Sequence, residues 1–182
     1  MTQRKAPDMW VDPEHDPRVA DVPAVGEKAI LLEYLDRYRT TIDLKCDGLD
    51  AEQLASRSVP PSTLSLLGLV RHLARVEHHW NRRVLEGDWA LPRLYDTDEV
   101  PDNDFDGAVA DDDLVIEAWE AWFRELTHSR KLFVELDLDS HVLVHGVPIE
   151  VRDVVVHLLE EYARHAGHAD LLREAIDGRK GQ

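Results

Sequence analysis

The sequence predicts an all-α protein, a four-helix bundle, from three observations. Four stretches of roughly 20 to 28 residues repeat apolar side chains at spacings of three and four, the period of a helix that buries one face. Turn-forming residues, Gly48, Pro60, Pro61, Gly87 and Gly178, stand at the ends of those stretches. The length of 182 residues, 43% of them hydrophobic, suits one domain with a single core.

Residues 1–23 carry Pro7, Pro13, Pro17 and Pro23 among charged side chains and read as an extended lead-in, a loose tail in preference to a docked one although Trp10 offers an apolar anchor. The first helix is expected from about Ala24 to Lys45, with Ile30, Leu31, Tyr34, Leu35, Tyr38 and Ile42 on its apolar face. A second follows Pro60-Pro61, capped by Ser62 or Thr63, and runs to about Glu86 before Gly87 stops it. Between Asp96 and Asp113 stand nine acidic residues and no Lys or Arg, a solvated loop. Asp102, Asp104, Asp106, Gly107 and Asp113 have the spacing of a calcium loop. The plain acidic loop is preferred, because the last position is Asp where a longer bidentate Glu is usual and Pro101 keeps a helix from running into it. A third helix spans about Asp112 to Leu136 with Leu114, Trp119, Trp122, Phe123, Leu126 and Phe133 inward. Residues 140–150 form a loop or small hairpin, and the fourth helix runs from near Glu150 to Asp177. The domain division is therefore a lead-in at 1–23, the bundle at 24–178 and a tail at 179–182.

Charge and composition exclude several functions. Acidic residues outnumber basic ones 37 to 21, a formal net charge of −16, and no run of Lys and Arg offsets it, so phosphate backbones and anionic lipid are repelled. No apolar run approaches the roughly 20 residues of a membrane span. Cys46 is the only cysteine and reads as a small core filler, not a nucleophile; a soluble, cytoplasmic chain without an internal disulfide is expected. Gly-rich phosphate loops, G-x-S-x-G and H-E-x-x-H are all missing. The ten histidines are the unusual feature.

Helical angles sort them. At about 100° per residue, with Glu161 at zero, Val154 and Leu172 fall near about +20°, His165 near +40° and Leu158 near +60°, so Glu161 and His165 lie inside the apolar stripe of the fourth helix. His168 and His157 lie at the edge of the stripe. On the second helix His72 faces the core with Leu69 and Val76, and His79 is two turns along. His78 is expected at the surface, and His15, His128, His141 and His145 carry no signal.

An ionised Glu in an apolar core needs a partner. Two readings fit. In one, Glu161 pairs with Arg71 or Arg75 while His72 and His165 are core histidines held by backbone carbonyls. In the other, Glu161 and His165, four residues apart, reach one divalent cation that His72 completes from a facing helix. Two His and one carboxylate suit zinc, nickel or iron(II) and leave a coordination position open, an arrangement catalytic in type.

The stretches LLGLVRHLARVEHHWNRRVLEGD, residues 66–88, and RDVVVHLLEEYARHAGHADLLREAIDG, residues 152–178, resemble the DinB-like four-helix-bundle superfamily, in particular an actinobacterial branch related to mycothiol-dependent maleylpyruvate isomerase. The resemblance covers about residues 24–178. It implies an up-down-down-up helix order with a long crossover between helices two and three, and a divalent metal, zinc first with nickel or iron as alternatives, held by His72, Glu161 and His165. It also implies a low-molecular-weight thiol of the mycothiol type as cosubstrate, a small electrophile as its target, and admits a homodimer. The chain lacks the second domain of the isomerase, so isomerisation itself is not expected. Two function classes remain: a metal-dependent thiol transferase, or a non-catalytic metal- or ligand-binding bundle with a stress or sensing role.

Overall fold

The computed structural model describes residues 9–181. Among them the protein is mostly helical: a short 3-10 turn at Pro13–His15, α1 (Glu27–Cys46), α2 (Ala51–Ala55), α3 (Leu66–Glu77), α4 (Asn103–Asp106), α5 (Asp112–Glu135) and α6 (Val151–Asp177), with one antiparallel hairpin of β1 (His141–Val144) and β2 (Val147–Glu150). No helix among the described residues is long and apolar enough to cross a membrane.

Local chemistry sets the helix ends. The Ser65 side chain accepts a hydrogen bond from the Gly68 N–H at 3.1 Å and starts α3, so the cap lies two or three residues beyond the Ser62 or Thr63 expected from the sequence. Val59 to Ser62 instead close a turn through the Ser62 N–H and the Val59 carbonyl. Asp111 caps α5 in the same way, with Asp112 and Asp113 favouring its positive end. Gly178 ends α6 in the left-handed region, φ 77°, where a side chain would be strained.

Two features of the second long helix depart from the sequence expectation. Beyond Glu77 it continues as a π-helical segment, His78–Leu85, in which the Glu86 N–H reaches back to the Asn81 carbonyl. His78, the first residue of that segment and expected at the surface, is buried although its own N–H still bonds to the Ala74 carbonyl. On α1 the expected apolar face is only partly right: Ile30 and Tyr34 are exposed, and Arg39 and Lys45 are buried among Leu35 and Ile42. Phe123 of α5 is likewise exposed.

α1 packs along α6, and α3 packs on both α5 and α6. Leu66, Leu67, Leu69, Val70 and Leu73 meet Trp122, Val154, Val155, Leu158 and Tyr162 in one core. Burial of a full aliphatic side chain contributes about 1.5–3 kcal/mol, so the core holds without a covalent staple. Trp10 is buried, contrary to the loose-tail expectation, with the cations of Arg179 and Lys45 at 3.6 and 4.0 Å from its ring centroid. The part of the lead-in at residues 1–8, and residue 182 of the tail, lie outside the described residues.

Candidate metal centre

Three elements bring the site together. α3 carries His72, the mid-stripe of α6 carries Glu161 and His165, and the acidic crossover supplies a residue that the sequence reading did not single out as part of the site, Asp104. Gly68, one turn before His72, is where the crossover approaches: a Cβ there would lie 3.3 Å from the Phe105 ring and 3.5 Å from its Cα. Arg71 fastens the same segment, donating from Nε to the Asp104 carbonyl at 3.0 Å and from Nη2 to the Asn103 carbonyl at 2.9 Å, while its guanidinium lies 4.1 Å from the Tyr95 ring. Phe105 then stacks on His72 at 4.7 Å, and the fully buried Asp104 accepts a hydrogen bond from His72 Nδ1 at 2.8 Å. Asp104 therefore faces inward, not out toward a calcium ion.

That hydrogen bond fixes the ring. With Nδ1–H committed to a carboxylate, the lone pair of His72 Nε2 is left for another partner, the usual outer support of a metal-bound histidine. His72 Nε2 and His165 Nε2 each lie 3.4 Å from the same oxygen, Glu161 Oε2. One donor atom from each of the three residues lies within 4.8 Å of the others.

The distances admit a loose ion pair or a ligand set. At 3.4 Å the contacts are longer than the roughly 2.7–3.2 Å of a good N–H to O hydrogen bond. Neighbouring donors in a tetrahedral shell with bonds of about 2.0–2.1 Å stand about 3.3–3.4 Å apart. Two of the three donor-to-donor distances match that spacing, and the nitrogen, nitrogen and oxygen set forms a group that could hold a metal ion. Neither Arg71 nor Arg75 pairs with Glu161: Arg71 reaches toward Glu117, and Arg75 Nε forms an ion pair with Asp104 Oδ2 at 2.9 Å.

Electrostatics follow from the same contacts. Burial works against the charged form of His72, yet Asp104 and Glu161 outweigh it and raise the imidazole above its ordinary value. His165 first, then His72, hold the Glu161 carboxyl well below the usual carboxylate range. Burial would raise Asp104, but His72 and Arg75 bring it below its ordinary value. The side chains are only partly covered, 12% exposed for His72 and 20% for Glu161, so a small ligand can reach them.

The remaining histidines take separate places. His168 Nδ1 lies 3.2 Å from His165 Nδ1, and burial, then the nearby His165 and Arg164, lower its pKa. His157 Nε2 is 3.8 Å from Glu161 Oε1, and its ring packs on Trp80 at 4.6 Å. His79 contacts Trp80 and Trp89 at 5.5 and 6.1 Å and offers nothing to the trio. Cys46 is buried, and burial pushes its thiol far up, which suits a core filler.

The mostly helical protein thus brings two imidazoles and a carboxylate together, with a buried aspartate behind one imidazole. The profile of the mycothiol S-transferase family matches residues 30–178. The chain belongs to that family, in agreement with the DinB-like resemblance of its second and fourth helices. Neither the curated proteins nor the solved structures gave a match.

Proposed function

We propose that this protein is a divalent-metal-dependent S-transferase that activates a low-molecular-weight thiol of the mycothiol type toward a small electrophile. The observation that carries the reading is the pair of imidazole nitrogens, each 3.4 Å from one Glu161 oxygen, with His72 held by Asp104 from behind. His72, Glu161 and His165 would hold the ion, zinc in first place with nickel or iron as alternatives. A cation there would lower the pKa of a thiol entering its open position, so that the sulfur is presented as a thiolate near neutral pH.

The chain's own residues do the rest. Asp104 keeps the His72 ring in one tautomer and one orientation. Glu161 contributes a single negative charge beside two neutral imidazoles, which leaves a dicationic centre net positive and attractive to a thiolate. Phe105 on one flank and the Trp80–His157 pair on another wall the approach and limit water. His157 Nε2, 3.8 Å from the second Glu161 oxygen, stands beside the trio as a base for the thiol proton.

The fold proposal is the up-down-down-up four-helix bundle over residues 24–178, with α1, α3 and its π extension, α5 and α6 as its long helices. Residues 88–111 are the crossover, 1–23 the lead-in and 179–182 the tail. A cytoplasmic location and a homodimer complete the reading.

The test joins metal content to transfer. Untagged protein should carry zinc or nickel, or take it up on addition, and conjugate mycothiol to monochlorobimane, with both properties lost in His165→Ala. Failure to bind either metal would overturn the reading; metal binding without transfer to any electrophile would replace it with a binding or sensing role.

A further inference from the structure

Beside the candidate metal centre lies a cavity of about 280 Å³ whose lining is unusual for this chain. In a protein of net charge −16, three guanidiniums, Arg75, Arg83 and Arg93, converge there with His79, and one carboxylate, Asp96, faces them. Two chains of contacts link its lining to the site. Arg75 forms an ion pair with Asp104, the residue that orients His72, and His79 packs on Trp80, which packs on His157 next to Glu161.

The positive charge of Arg83 is incompletely answered, whereas Arg75 and Arg93 also hold carboxylates outside the lining, Asp104 at 2.9 Å and Asp98 at 2.6 Å. Asp96 Oδ2 lies 3.5 Å from both Arg75 Nη1 and Arg93 Nε, longer than a direct hydrogen bond, and the other partner of Arg93, Asp98, is 91% exposed. Arg83 has no carboxylate in its contacts; its Nη1 donates to the Leu91 carbonyl, and its Nε–H is buried without an acceptor. Burial first, then the charges of Arg83 and Arg75, lower the His79 pKa from its ordinary value.

We infer that this cavity is an anion subsite that takes the carboxylate of a small organic acid, so that the electrophile served by the neighbouring centre is an acidic one. The planar fork of Arg matches a carboxylate, and a carboxylate already stands between two of the three arginines. The volume admits a molecule of a few carbon atoms. The assignment of this acid as the electrophile rests on the transferase reading; the subsite itself does not.

Calorimetric titration of the full chain as purified with succinate, dimethyl succinate and inorganic phosphate tests it. Succinate should bind once per chain, more weakly at high salt, with the neutral diester silent and phosphate weaker. Arg83→Gln should weaken succinate about tenfold or more, and Arg93→Gln by a smaller factor. A melting curve checks that each variant is folded, and Arg93→Gln decides the matter if Arg83→Gln is not. His165→Ala should bind succinate as the parent does, whatever becomes of its metal, which separates this subsite from the thiol reading. No succinate binding, equal binding by the folded arginine variants, equal binding of the diester, tighter binding of phosphate, or loss of binding in His165→Ala would each overturn the assignment.

Discussion

Two polar clusters sit only five residues apart on the same helix, and they differ in how completely they are satisfied. At Glu77 the carboxylate is closed in: Oε1 accepts from Arg39 Nε at 2.9 Å and Nη2 at 2.6 Å, Oε2 accepts from Asn81 at 2.7 Å, and Arg39 Nη2 also reaches Ser129 at 2.7 Å, with the buried Asn81 Oδ1 of this cluster left without a partner. Glu77, Asn81 and Ser129 are fully buried. At His72 the short bond is the one behind the ring, to Asp104, while the forward-facing nitrogen and its neighbours stop at 3.4 Å from Glu161 and remain reachable from solvent. A closed network of charges ties α1, α3 and α5 into one arrangement. The open one, backed by a buried carboxylate, is the arrangement on which the proposed metal site rests.

The difference can be broken from either side. The largest effect on stability should come from the closed cluster: Arg39→Ala strands Glu77 as a buried charge and should cost about 3–5 kcal/mol in urea unfolding. His165→Ala, by contrast, should change the stability of the metal-free protein by less than about 1 kcal/mol, since it empties no closed network.

Asp104→Asn sharpens the distinction from behind the site. It should weaken metal binding about 10- to 100-fold, measured by competition with a chromophoric chelator, while the far-ultraviolet circular dichroism stays helical. The same variant should alter the pH dependence. Because the Asp104 and Glu161 carboxylates raise the His72 pKa against the pull of burial, protons compete with metal from a higher pH than at a free imidazole, and affinity falls as pH drops through that raised value. Removing the Asp104 charge lowers the His72 pKa and should move this acid limb to lower pH. The metal-free fold responds with the opposite sign: the His72 contribution is complete below its unfolded value of about 6.5 and is lost as pH rises through the raised folded value. The smallest effect belongs to the outward neighbour of Glu161. Glu160 makes an exposed pair with Arg164, so Glu160→Ala should cost no more than about 0.5 kcal/mol and leave metal affinity unchanged.

What the sequence made legible depended on how local the geometry was. Glu161 and His165 were placed together because four residues along a helix is a fixed displacement, and His72 was found by the same angular argument before the helix changes its winding. The inward turn of Asn81 was hidden, since the π segment after Glu77 invalidates a constant 100° step. Asp104 was visible only as one acid among nine, and its role depends on Gly68 and Arg71 drawing the crossover onto α3, a tertiary event that no spacing announces. Arg39 and Glu77 were missed for a related reason: each is an ordinary charged residue until the other is packed against it.

The most direct test of an open three-residue metal site is an anomalous difference map from zinc- or nickel-loaded crystals, collected on both sides of the metal edge. One peak per chain within bonding distance of His72 Nε2, Glu161 Oε2 and His165 Nε2 is the predicted result. No peak at that point, or a peak elsewhere with the three side chains bonded only to one another, would contradict it.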